Sequence, residues 1–335
     1  MGVCRYETVT SLRASIFGEI LLCRDRLTHE RVVLKTVELA LALKQTSCSQ
    51  ELVQENVLRE VEVLSRIHAL GGHPNVINLR SYFVAKGGGF LHVVLDYCEG
   101  GDLLDSCVQP LADEEEAADK SDNAQEGRQS NQQVAAEGES GRSDPLANGV
   151  TGSKRLQESV ARGYLADVLS GLRFLHSHGI AHRDLSLENI LLRDGRAVIA
   201  DFGLCVQHLD STTAETGGFC CDGTVGKHYY MAPEIVARER YDPRRADVWS
   251  VGIAFFILLT SSPPFEKADP SDPGFRYVAK RGIKAVFTAW GLAEEVSQPM
   301  QDLLARMLSI EPEERITVDE IWQHPALQAA AAAQS

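Results

Sequence analysis

Between residues 5 and 37 apolar and polar side chains alternate with a period of two, most clearly in LRASIFGEILLC (12–23) and ERVVLKTV (30–37), as in short strands with one buried face. The period then lengthens. From Leu52 to Ile67 the apolar residues Val53, Val57, Val61 and Leu64 recur every three or four positions, which predicts a one-faced helix ending before GGHPN. Two more strand-like runs, VINLRSYF (76–83) and FLHVVLDY (90–97), flank the turn-forming Gly87, Gly88 and Gly89. This part of the chain reads as a small sheet with one helix. From Leu156 to about Leu327 the pattern is mostly helical. Its longest apolar run, Val251–Leu259, is about half of what spans a bilayer and is predicted as a buried core helix, so no membrane partner is expected.

One stretch breaks the pattern. Residues 113–153 contain no aromatic side chain and few aliphatic ones, which predicts a disordered insertion. With ten acids against three bases it holds −7 of the formal net charge of −14. The acidic balance of the 335-residue chain argues against a nucleic-acid partner held through phosphate contacts. Eight cysteines include no CxxC pair, and the vicinal Cys220 and Cys221 are poorly disposed to bridge. With no secretory-type start, reduced thiols in a cytoplasmic or nuclear protein are expected.

The densest polar cluster is AHRDLSLENILL (181–192), followed by VIADFG (198–203). Acids at 184 and 201 and an amide at 189, each flanked by apolar strand-like residues, can converge at one rim. Phosphoryl transfer needs hard oxygens for Mg²⁺ and one carboxylate to orient a hydroxyl. Taken singly, each is as well described as a solvated loop residue. Together these strings resemble the catalytic and metal-binding loops of the eukaryotic protein kinases of serine/threonine type. MAPE (231–234) is similar to the motif closing that family's activation segment, DVWSVG (247–252) to its central helix, and Arg315 in PEERIT to the arginine that pairs with Glu234.

The resemblance implies an α+β, two-lobed protein-kinase-like fold over residues 6–328. The N-lobe would be mainly β with one key helix (about 6–95) and the larger C-lobe mainly α (about 99–328), interrupted by the insertion and followed by an alanine-rich tail (329–335). It implies ATP and Mg²⁺ as cofactors, Asp184 to accept or orient the substrate hydroxyl proton, and Asn189 and Asp201 to hold the metal. Lys35 in VVLK resembles the strand lysine on the α and β phosphates, and Glu60 the helix acid that holds it, with Glu55 and Glu62 as nearby alternatives. Leu95, Asp96, Tyr97 and Cys98 fall where a hinge would read the adenine edge, with Asp102 near the ribose and Glu188 beside the nucleotide. Ile20, Val33 and Leu191 would sandwich the purine. Leu64, Leu79, His182 and Phe202 match an apolar stack that aligns the lobes, and equally describe ordinary core.

Three departures qualify the likeness. The glycine-rich loop stands as LRASIFGEI, with Leu12 opening it, Arg13 and Ser15 in place of the first two glycines, and only Gly18 retained. Side chains there should loosen the lid over the phosphates or reroute it; Arg13 either reaches the phosphates with its own charge or points to solvent. Ser186 occupies the place at which many such kinases carry a lysine facing the transferred phosphate. Lys227, in GTVGKHYYMAPE, stands where they usually have a threonine, and the expectation is that it reaches from the activation segment towards Asp184 and the γ-phosphate.

Arg183 resembles the family's sensor for a phosphorylated activation segment, with Ser211, Thr212, Thr213, Thr216 and Thr224 as candidate sites. The expected partner is a protein substrate, with a weak preference for basic residues suggested by Glu188 and Asp102. A monomer is expected. The insertion reads either as a tolerated surface loop or as an acidic tether to the substrate groove. The competing function is a pseudokinase scaffold that keeps the fold and binds nucleotide weakly or not at all, which the altered glycine loop and Ser186 would suit.

Overall fold

A computed structural model describes residues 5–108, 155–208 and 219–331. The acidic stretch 113–153, the candidate phosphorylation sites Ser211, Thr212, Thr213 and Thr216, and the last residues of the alanine-rich tail lie outside the described residues.

The N-terminal part is an antiparallel sheet of order β1-β2-β3-β5-β4, formed by β1 (Tyr6–Ser15), β2 (Gly18–Asp25), β3 (Arg31–Glu38), β4 (Leu79–Val84) and β5 (Phe90–Asp96). Between β3 and β4 come a short α1 (Leu39–Lys44) and then α2 (Val57–Ala69). The run 12–23 divides into two strands, because Ser15 pairs with Gly18 across a turn at Ile16 and Phe17. The alternation along β3 sorts its side chains. Val32 and Leu34 enter a small core with Tyr6, Cys23 and Val94, whereas Val37 joins the main core beneath α2. The outer strands lean together over the smaller core: the Tyr6 hydroxyl lies 3.0 Å from Ser81 Oγ, and Tyr6 stacks on Phe83.

Two predicted boundaries move. The helix expected over 52–67 begins at Val57, because the Asn56 side chain accepts from the Leu58 and Arg59 amides and caps it. Residues 52 and 53 pair instead with the chain after α1, through the Thr46–Leu52 bridge and the bond from Val53 N to Gln45 O. The strand expected over 76–83 begins at Leu79, because the backbone of Asn75 and Ile77 is bonded to Ile199 in the larger lobe.

That lobe begins with α3 (Leu103–Val108) and α4 (Glu158–Ser177), followed by the short strands β6 (Ile180–Ala181), β7 (Ile190–Arg193), β8 (Arg196–Ile199) and β9 (Val206–Gln207). After α5 (Pro233–Val236) comes α6 (Pro243–Thr260), the predicted core helix, most of whose side chains are buried. Further helices follow, and the last, Pro325–Ala331, runs into the alanine-rich end. The main apolar core is continuous from Phe17 in the smaller lobe to Leu327 in the larger. No helix among the described residues is long and apolar enough to cross a membrane.

Candidate active site

Register on the sheet assembles the first cluster. Lys35 lies opposite Ile20 on β2 and Val93 on β5, and its side chain is buried. Glu60 stands in the first turn of α2, on its buried face. The Lys35 ammonium donates to Glu60 Oε1 at 3.1 Å and Oε2 at 2.8 Å and lies 3.7 Å from Asp201 Oδ1. Of the three candidate acids, Glu60 makes the pair. Burial works against the ammonium, but Asp201 and Glu60 outweigh it and raise its pKa. Lys35 in turn holds the Asp201 carboxyl below its usual range, against the cost of burial. Glu55 was legible only as a rival to Glu60. It is half-buried, its side chain lies against Gly203, and burial together with the charge of Asp201 pushes its carboxyl up to about 7.

The loop 182–189 is held by a carboxylate distant in sequence. Asp247, fully buried at the start of α6, accepts from the backbone N–H groups of His182 (2.9 Å) and Arg183 (2.7 Å) and lies 2.9 Å from His176 Nε2. DVWSVG pointed to the helix but not to this brace. Arg183 and Asp201 both have positive φ, 69° and 65°, a local strain that clusters at functional sites and persists where the surroundings over-determine it. The His182 ring lies 3.0 Å from the Ala200 carbonyl and packs edge-on against Phe202, and Leu64, Leu79, His182 and Phe202 are all buried. Asn189 Nδ2 donates to Asp184 Oδ2 and to the Asp184 carbonyl, both at 2.8 Å, which fixes the Asp184 carboxylate against the amide. Burial raises the Asp184 carboxyl, with the charge of Lys227 the largest influence the other way.

On the far side of Asp184, Lys227 Nζ donates to Ser186 Oγ at 2.7 Å and lies 3.3 Å from Glu188 Oε1. The lysine and serine that departed from the family pattern therefore touch each other. Glu188 meets Lys227 and lies 3.5 Å from the Tyr230 hydroxyl, and its charge also acts on Asp102. Arg183 does not face open solvent: its Nε donates to the Tyr241 hydroxyl at 3.1 Å. Among the candidate phosphorylation sites only Thr224 belongs to the described residues.

The cleft between the lobes is lined from both sides. Ile20, Val33, Lys35 and Leu95 share one sheet face by register, and the three apolar ones are half-buried. Leu191 and Asp102 are bridged to each other through their backbones. Burial raises the Asp102 carboxyl, whose Oδ1 accepts from Asp105 N at 2.9 Å. Cys98 is buried, and its thiol is pushed up to about 12 by desolvation. The Asp96 carboxylate is taken up by Arg80 and Arg193, at 2.5 Å each, so its side chain ties the lobes together and only its backbone remains for an adenine edge. Leu12 is the extra residue of a bulge in β1 and is 44% exposed. The charge of Arg13 acts on both Asp201 and Asp102, so it belongs to the field of the cleft. The turn beyond it is pinned, with Cys48 N donating to Ile16 O and Glu38 N to Phe17 O.

The protein kinase domain family matches residues 6–127 and 128–327 of this chain. Among curated proteins, the chain is 31% identical over 326 residues to the serine/threonine-protein kinase SAPK5 of Oryza sativa subsp. japonica, covering 96% of this chain and 69% of the relative. It is 29% identical over 326 residues to the serine/threonine-protein kinase SAPK2 of the same rice, covering 96% and 76%. Against the serine/threonine-protein kinase SRK2C of Arabidopsis thaliana the identity is 30% over 325 residues, covering 96% and 74%.

Proposed function

Because this chain belongs to the protein kinase family and is an ATP-dependent serine/threonine protein kinase, we propose that Lys35, Glu60, Asp184, Asn189 and Asp201 carry its transfer of the γ-phosphoryl of MgATP to a protein hydroxyl. The observation that carries this reading is the charge arrangement. A buried ammonium sits between Glu60 and Asp201, and the Asp184–Asn189 pair lies across the cleft. Lys35, pre-oriented by Glu60, would hold the α and β phosphates without reorganising during the reaction.

The residues present fit a magnesium ion. Asp201, kept ionised by Lys35, would hold it, and the amide oxygen of Asn189, whose Nδ2 is directed to Asp184, would supply a second hard ligand. When bound, the ion neutralises charge on the phosphate oxygens. Asp184, desolvated and fixed by Asn189, is a stronger proton acceptor than a solvated carboxylate and orients the substrate hydroxyl. Ile20, Val33 and Leu191 would enclose the purine, and Asp102 the ribose. The charge of Arg13 acts on Asp201 and supports a phosphate contact made by a side chain, in a loop where two glycines are replaced.

For the protein substrate, Asp102 and Glu188 support a modest preference for basic residues, reduced because Lys227 shares the Glu188 carboxylate. The test is phosphate incorporation from MgATP into serine and threonine peptide arrays by the wild type and by Asp184→Asn. Wild-type signal weighted towards basic peptides, and lost in the variant, is expected. Equal signal from both would leave only a scaffold, and a profile dominated by acidic, proline-directed or tyrosine sites would overturn the preference.

A further inference from the structure

The segment 219–231 is anchored to Tyr241 and to α6, and it meets the catalytic loop at Gly226 and Lys227. Cys221 and Tyr241 exchange backbone hydrogen bonds at 2.8 and 3.1 Å, Tyr230 N donates to Lys227 O at 3.0 Å, and Ser250 Oγ donates to the Tyr230 carbonyl at 2.8 Å. Gly226, at φ +94°, makes the closest approach: a Cβ there would lie 3.0 Å from the Arg183 carbonyl oxygen and 3.4 Å from Asp184 Oδ1. This delivers the next residue, Lys227, to Ser186 and Glu188.

Two neighbouring cations are engaged elsewhere: Lys35 is committed to Glu60 and Asp201 on the nucleotide side, and Arg183 donates to the Tyr241 hydroxyl. Lys227 is the cation that acts most strongly on Asp184, and Asp184 marks the acceptor end of the transfer. Its hydroxyl partner Ser186 is neutral and Glu188 lies at ion-pair distance, so the ammonium can turn to a phosphate oxygen without abandoning a short buried carboxylate bond.

Resting on the kinase reading, we propose that Lys227 is a catalytic residue that donates hydrogen bonds to the transferring phosphoryl group, so that this charge is carried by the activation segment instead of the catalytic loop. The bond from the γ-phosphorus to the bridging oxygen of ADP breaks as the bond to the substrate oxygen forms, the hydroxyl proton passes to Asp184, and Lys227 keeps its own protons. Seating of the segment and charge stabilisation of the transfer are thereby one event. Lifting 219–231 removes the cation, whereas a lysine at 186 would stay behind.

The test compares the wild type, Lys227→Met, the exchange variant Ser186→Lys/Lys227→Thr, and Asp184→Asn, reading kcat together with ATP and ADP affinities by calorimetry. Losing one preorganised donor predicts a fall of about 10²-fold in kcat for Lys227→Met, with a weaker preference for ATP over ADP, and recovery of most of both in the exchange variant. Gly226→Ala, which crowds Arg183 and Asp184 and lifts the segment, is expected to reduce kcat more in the wild-type background than in the exchange background. Lys227→Met with unchanged kcat and unchanged ATP preference overturns the assignment, as does an exchange variant no better than Lys227→Met at an equal melting temperature. Equal losses from Gly226→Ala in the two backgrounds overturn the coupling. A wild type no faster than Asp184→Asn would count against the kinase reading, and the nucleotide affinities would still decide whether Lys227 meets the γ-phosphate.

Discussion

At position 18 the chain has no room for a side chain. A Cβ there would stand 2.3 Å from the Thr36 carbonyl oxygen, where β2 closes on β3 two residues from Ile20 and opposite the strand that carries Lys35. Gly18→Ala must push the strands apart, and overpacking of this kind costs about 1–3 kcal/mol. A lower melting temperature and weaker ATP binding are expected together; unchanged values for both would show that the approach is not as close as described. The glycine was visible in sequence as the survivor of a loop motif, but its reason was not, because the atom it avoids belongs to another strand. The same holds for Asp184, Asn189 and Asp201. Their proximity follows from short strings with fixed spacing, whereas the Asp247 carboxylate that braces their loop comes from a helix whose contact with residues 182 and 183 no local pattern encodes.

Elements in the larger lobe are joined by buried charge. Arg315 forms a two-pronged pair with Glu234 of α5, at 2.7 and 3.0 Å, and stacks over Trp249 of α6, with both charged side chains essentially out of solvent. Arg315→Met would leave the Glu234 carboxylate buried and unpaired, a change that costs about 3–5 kcal/mol. Thermal unfolding is expected to reveal a loss of that size, and a loss below about 1 kcal/mol would mean that the site admits water. A more exposed counterpart lies on the helix Gln298–Met307, where Asp302 is met by Lys284, Arg306 and His324. Its carboxyl is lowered to about 2, chiefly by its bonds to Lys284 and His324. A lowered folded pKa means that its contribution is present above the unfolded value and fades as pH falls from about 4 towards 2. Asp302→Asn should therefore reduce stability at pH 7, by no more than about 1 kcal/mol given its exposure, and match the wild type only below the folded value, at about pH 1. A gap that persisted there would contradict the assignment. Element types were legible from periodicity, but their ends were not. The Asn56 cap and the diversion of residues 75–77 to Ile199 decide where α2 and β4 begin, and both depend on partners outside the periodic window.

Across the whole molecule, one apolar core and a few polar ties bind the two lobes into a single site. Asp96 joins Arg80 of the sheet to Arg193 of β7, and the Lys35–Glu60 pair is completed by Asp201 from the other lobe. Formal charge is misleading at this scale. A chain of net charge −14 nevertheless concentrates Lys35, Arg13 and Lys227 around the place where an anionic nucleotide would sit. The acids at the same place carry the metal and proton chemistry proposed here. The most direct test is the single-turnover rate of phosphoserine formation on a peptide at saturating MgATP, comparing the wild type with Asp184→Asn, so that differences in nucleotide binding drop out. The account predicts rapid, stoichiometric phosphoserine in the wild type and a rate lower by at least about 10²-fold in the variant. Equal rates, or no phosphoserine from a folded wild type, would contradict it.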